Sequence, residues 1–166
     1  MGEPAKFDLP EQGESATLPP MEFKRRISVV MERTPLASRW QSEKWEAKGV
    51  LPDMSGAGAE PRIIYDDGTR LEVLYSGLEI NLKGEDLENY YLNLTSPEPK
   101  VFVLVRADDG TPRPAFVSVS YARAAGWMDA NETVDAVSLP PELHAWVGEF
   151  VERYYRPRPK FKRQRK

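Results

Sequence analysis

The 166-residue chain contains no cysteine, a single histidine and no long apolar run. Without cysteine, disulfides, thiolate zinc sites, iron–sulfur ligation and cysteine nucleophiles are excluded by the chemistry they need. One histidine, His144, rules out a histidine-based metal cluster. It also leaves any acid–base mechanism without an evident partner, because general catalysis requires a placed second group. No stretch approaches the roughly 20 apolar residues that span a bilayer, and the N-terminus has no signal-like apolar core. A cytoplasmic protein is expected. Asp66-Asp67 and Asp108-Asp109 each precede a glycine, and they lack the ligand spacing of a calcium loop. Gly56-Ala57-Gly58 has no following Lys-Ser/Thr, and no serine sits in a nucleophile elbow. No cofactor, metal or catalytic residue is therefore expected, and the chain reads as non-enzymatic.

What is present is charge, unevenly placed. Residues 153–166 (RYYRPRPKFKRQRK) hold eight positive charges and no acid. Residues 1–22 sum to −4 and residues 23–152 to −7, so the net −3 conceals an acidic body with a basic arm. This polarity points to an anionic partner or to the chain's own acidic surface. The Arg-Pro-Arg-Pro run at residues 156–159 favours an extended arm that presents Phe161 between Lys160 and Lys162.

Composition divides the chain into an acidic, proline-containing N-terminal arm (1–22) expected to be disordered, one domain (23–154), and the basic C-terminal arm (155–166). Within the domain, alternation at Ile27, Val29 and Met31 predicts a strand that Pro35 ends. The segment 38–51 fits either a bulged strand or a short amphipathic turn, and 52–61 a loop. Asp66-Asp67-Gly68 predicts a hairpin, and Gly77 a bend or bulge in the second arm. Leu87, Tyr90, Tyr91 and Leu94 share a helical face, and Val101–Val105 reads as a strand covered on both sides. A second hairpin follows, then a short helix capped by Ser120, a strand at 134–139, and a helix opened by Pro140-Pro141 with Leu143, Trp146, Val147, Phe150, Val151 and Tyr154 on one stripe. The fold class is α+β: a mostly antiparallel sheet packed by about three short helices, with two terminal arms.

Trp146 belongs to the core by its periodicity. Trp40 and Trp45, set among charges, suit either core-edge packing or an anchor for a protein partner. The partner-binding candidates are Trp40, Trp45, Arg156, Arg158, Lys160, Phe161, Lys162, Arg163, Arg165 and Lys166. A nucleic-acid-binding regulator using the basic tail is the alternative, with Tyr154, Tyr155 and Phe161 available to stack on bases. A small-molecule enzyme working through carboxylates is a third class. An acidic body disfavours nucleic acid, since binders of that kind extend their positive surface onto the folded domain.

Several runs in order, VVMER at 29–33, the W-Q…W run from Trp40 to Trp45, GVLP at 49–52, ENYYLNLTSPEPKVFVLVR at 88–106, VSVSYARAAGWMDANETVDAVSLPPEL at 117–143 and AWVGEFVERYYRPRPKFKRQRK at 145–166, resemble an uncharacterised bacterial family. That family, domain of unknown function 3305, has genes that commonly lie beside those of formate dehydrogenase. The resemblance departs most at residues 54–83. It implies an accessory or companion subunit of a molybdenum- or tungsten-dependent formate dehydrogenase, a larger oxidoreductase that the chain would bind.

Overall fold

A computed structural model describes residues 23–53 and 60–156. The N-terminal arm, the glycine-rich loop and all of the C-terminal arm except Tyr155 and Arg156 lie outside the described residues, so the expectations for them stand apart from the fold. Seven strands and three helices follow in order: β1 (Phe23–Pro35), β2 (Glu43–Pro52), β3 (Arg62–Asp66), β4 (Leu71–Leu82), α1 (Leu87–Leu94), β5 (Lys100–Asp108), β6 (Thr111–Ser118), α2 (Tyr121–Asp129), β7 (Thr133–Ser138) and α3 (Pro141–Tyr154).

The architecture is α+β and every strand pair is antiparallel. The strands divide into two sheets, ordered β2-β1-β4-β3 and β6-β5-β7. Hairpins build most of this, because neighbours in sequence pair first. The exceptions are β1 with β4 and β5 with β7. Val101, Val103 and Val105 point into the common core, while Phe102 and Leu104 on the opposite face are also buried. The Phe102 ring lies 5.6 Å from Tyr121 of α2, so this central strand is covered on both sides, as its unbroken apolar run demands.

Bulges sit where the chain must bend. Segment 43–52 is a strand whose pairing with β1 shifts between Val30 and Met31, leaving Lys48 as the extra residue. The Ala47 N–H beside it donates to Asp135 Oδ2 of β7 at 2.8 Å, a direct tie between the sheets. In β4 the register against β1 slips between Ile27 and Val29, opposite Gly77, whose φ of 86° few other residues would adopt. The β3–β4 turn is held by its acids: Asp66 accepts from the Gly68 N–H at 3.0 Å, and Asp67 from those of Thr69 and Arg70. Those carboxylates are turn chemistry, as their position before glycine suggests.

The helices close the open sides. Ser120 caps α2 by accepting the Arg123 N–H, and Pro141 opens α3. Of the stripe, Leu143, Trp146, Val147, Phe150 and Val151 are buried, and Tyr154 packs half-buried against the core. Burying such side chains stabilises by about 1.5–3 kcal/mol each. In α1 the buried set is Leu87, Tyr90 and Asn93, while Tyr91 turns outward, which rotates the face from the one expected. Asn93 is the reason: its Nδ2 donates to the carbonyls of Lys100 (2.8 Å) and Val119 (2.9 Å), and its Oδ1 accepts the Lys100 N–H (2.9 Å).

Candidate functional site

Among the described large hydrophobic side chains Trp40 is the most exposed, at 90 %. It lies in the loop between β1 and β2, which is closed by the Leu36 N–H bonding to the Ser42 carbonyl at 3.0 Å. The Trp40 N–H donates to Ser38 Oγ at 3.1 Å, fixing the backbone beneath the indole. Leu36 is also exposed beside it in sequence. Trp45 is placed differently. It packs half-buried against the core, donates its indole N–H to Glu43 Oε2 at 3.0 Å, and has Arg33 6.0 Å from its ring.

Arg156 is the one tail candidate among the described residues, donating to its neighbours' carbonyls, Glu152 (3.3 Å) and Tyr155 (2.8 Å). Arg158, Lys160, Phe161, Lys162, Arg163, Arg165 and Lys166 lie outside the described residues. The root from which they continue is firmly packed. Phe23, the first residue of β1, meets Phe150 at 4.9 Å and Tyr154 at 6.3 Å, with the Arg153 guanidinium 5.8 Å from its ring. Tyr155 stacks on Tyr91 at 4.8 Å. Both terminal arms therefore leave the fold at one place. Trp40 lies beyond the other end of β1, a strand of 13 residues and thus about 40 Å long. The structure does not bring the two candidate surfaces together.

Beside the arm root runs a furrow that sequence reading did not reveal. One stretch, of about 460 Å³, is lined by Lys24, Arg25, Arg26, Pro52, Asp53 and Glu79. It meets at Glu79 a stretch of about 310 Å³ between the end of β4 (Asn81, Lys83), β6 (Phe116, Ser118) and α2 (Arg123, Trp127). The register explains the first junction, since Lys24 pairs with Asn81 and Arg26 with Glu79 on one face of the sheet. The second owes its form to Tyr90, whose buried hydroxyl accepts the Lys83 N–H at 2.9 Å and fixes the end of β4. Burial raises the Tyr90 hydroxyl's pKa, outweighing the opposing hydrogen bond from Lys83, so it stays protonated. Arg123 contacts Asp86 at 3.4 Å, and Phe116 is half exposed. A third stretch continues past Arg123 and Trp127 to Asp86 and Gly126. Across the three stretches Lys24, Arg26, Lys83 and Arg123 outnumber Asp53, Glu79 and Asp86, against the sign of the body; Arg25 borders the first stretch, but its guanidinium lies 5.2 Å from the Trp146 ring on the other face of β1. The clustering comes from β1–β4 pairing, and only the run Lys24-Arg25-Arg26 hinted at it.

His144 is exposed, with Nε2 3.3 Å from the Leu94 carbonyl, and no acid is hydrogen-bonded to it among the described residues. No group of three or more His, Cys, Asp or Glu among the described residues is placed to hold a metal ion. No helix among them is long and apolar enough to cross a membrane.

No curated protein and no solved structure is significantly similar to the chain. A family model does match, over residues 26–165, covering both sheets, all three helices and the arm. The chain belongs to the family of proteins of unknown function designated DUF3305.

Proposed function

We propose that this is a cytoplasmic, non-enzymatic accessory or companion subunit that docks on a larger oxidoreductase through Trp40 and the basic C-terminal arm. The observation that carries the reading is Trp40, 90 % exposed on a loop whose backbone is bonded in place. An indole offers a large contact area and loses little side-chain entropy when it binds, which is why tryptophan anchors interfaces. The arm adds eight charges without an acid and so seeks an anionic surface. Docking at both points requires a partner spanning about 40 Å or more, as a large protein does. The partner implied by the family resemblance is a molybdenum- or tungsten-dependent formate dehydrogenase.

Co-expression with such an enzyme and capture at moderate salt tests this. The full chain should retain it, and Trp40→Ala, or Phe161→Ala with Lys160→Glu and Lys162→Glu, should reduce capture at least tenfold with Tm unchanged. Undiminished capture by both variants would sink the docking reading. One observation favours a second reading: Lys24, Arg25 and Arg26 carry positive charge from the arm onto the folded body, as nucleic-acid binders do. Co-purifying nucleic acid, lost as salt rises, would put that regulator reading first.

A further inference from the structure

We infer that the furrow beside the arm root is a docking site for an acidic peptide, and that its resident occupant is this chain's own N-terminal segment, residues 1–22. In the furrow, cations gather against the sign of the body. Lys24, Arg26, Lys83 and Arg123 face Asp53, Glu79 and Asp86, inside a body that sums to −7, while the Arg25 guanidinium turns to the opposite face of β1, 5.2 Å from the Trp146 ring. Lys83 forms no ion pair among the described residues, and Arg123 is engaged only at 3.4 Å by Asp86. Phe116 and Trp127 add an apolar wall. The site thus suits an extended chain that carries several carboxylates and a few apolar side chains.

Residues 1–22 have that composition: Glu3, Asp8, Glu11, Glu14 and Glu22 against Lys6, with Phe7, Leu9 and Leu18 between them. They also begin in the right place. The segment joins the fold at Phe23, whose neighbour Lys24 lies in the furrow and pairs with Asn81, two residues before Lys83. Tethering decides between this occupant and a separate acidic peptide of similar affinity. A segment joined through a short connection has an effective concentration on the order of millimolar, above that of most free partners. The segment sum of −4 also opposes the furrow's positive balance, whereas a nucleic-acid strand would have to displace it first.

The absence of cysteine allows a clean test, because a nitroxide can be placed at a single engineered thiol, Ser15→Cys, in the full chain. At low salt the Trp127 indole N–H and the Phe116 amide should lose more than half of their NMR intensity relative to the reduced label. The signals should recover in about 0.5 M salt, and in Lys83→Glu with Arg26→Glu. Should that double variant lose spectral dispersion, Asp8→Asn with Glu11→Gln and Glu14→Gln, which leaves the fold untouched, should give the same recovery. Mixing spin-labelled with isotope-labelled chains should produce no broadening. Broadening in the mixture would reassign the occupant to a second copy. Broadening confined to residues 157–166, or none at Trp127, would overturn the inference.

Discussion

Asn93 shows how much one side chain can carry. It hydrogen-bonds three backbone groups, the buried Val119 carbonyl among them, and it joins α1 to the start of β5 and to the residue just after β6. Asn93→Leu keeps the branched outline but removes all three bonds, at a cost of about 3 kcal/mol. A thermal scan should register a fall in Tm of roughly 10 °C in a domain of this size. An unchanged Tm would mean that water replaces the amide. This residue was also the least legible from sequence. Periodicity found Leu87 and Tyr90, but an asparagine declares its burial only through distant acceptors, and Lys100 and Val119 are not local signals. Ser120 was legible because a capping residue acts on its own helix, and the Arg123 N–H it accepts is three residues away. Trp40 and Trp45 look alike in sequence, and only the closing of the β1–β2 loop separates the exposed ring from the half-buried one.

At the level of elements, β1, β2 and β4 are joined on one face by a charge ladder. Glu32 and Glu72 lie directly opposite each other, an arrangement that repels unless cations intervene. Lys48 and Arg70 supply them, each touching both carboxylates. Burial works to raise the Glu32 pKa, but hydrogen bonds from Arg70 and Lys48 outweigh it, and the result lies below the usual carboxylate value of 4.5. The N–H groups of Arg70 and Thr69 lower Asp67, and Arg106 lowers Glu132. A carboxylate with a depressed folded pKa stabilises the fold above its unfolded value, and that stability disappears as pH falls through the folded pKa. Tm should therefore decline between about pH 5 and pH 2. In Lys48→Met/Arg70→Met the ladder's share should reverse sign, since protonation then relieves two facing anions. Acid titration followed by circular dichroism distinguishes the two slopes; parallel slopes would show that the ladder contributes nothing. The hairpins here were legible, because turn residues such as Asp66-Asp67-Gly68 act locally. The division into two sheets was not, since the pairings of β1 with β4 and of β5 with β7 depend on contacts far apart in the chain.

For the whole molecule, the decisive dimension is the length of β1. It separates Trp40 from the arm root, so the two proposed contacts should respond independently to conditions. Arm binding is electrostatic and screened over about 8 Å at physiological ionic strength, whereas an indole in a pocket is not. The loss of capture caused by the arm variant should shrink when salt is raised to about 0.5 M. The loss caused by Trp40→Ala should persist. Binding assays at two salt concentrations check this, and equal salt sensitivity would mean that the two contacts form one surface.

Phe23 and Tyr154 close the folded part of the chain upon itself, their rings 6.3 Å apart. A purification tag or fluorophore fused directly at Phe23 or at Tyr154, in a chain trimmed of its arms, therefore arrives at the same corner, beside the furrow, and moving it from one end to the other gives no relief. The same adjacency suits the domain to circular permutation, with the old ends joined by a short linker. Opening the β5–β6 turn at Gly110, where φ is 81° and a side chain would meet nothing, would then move both labels to another part of the surface.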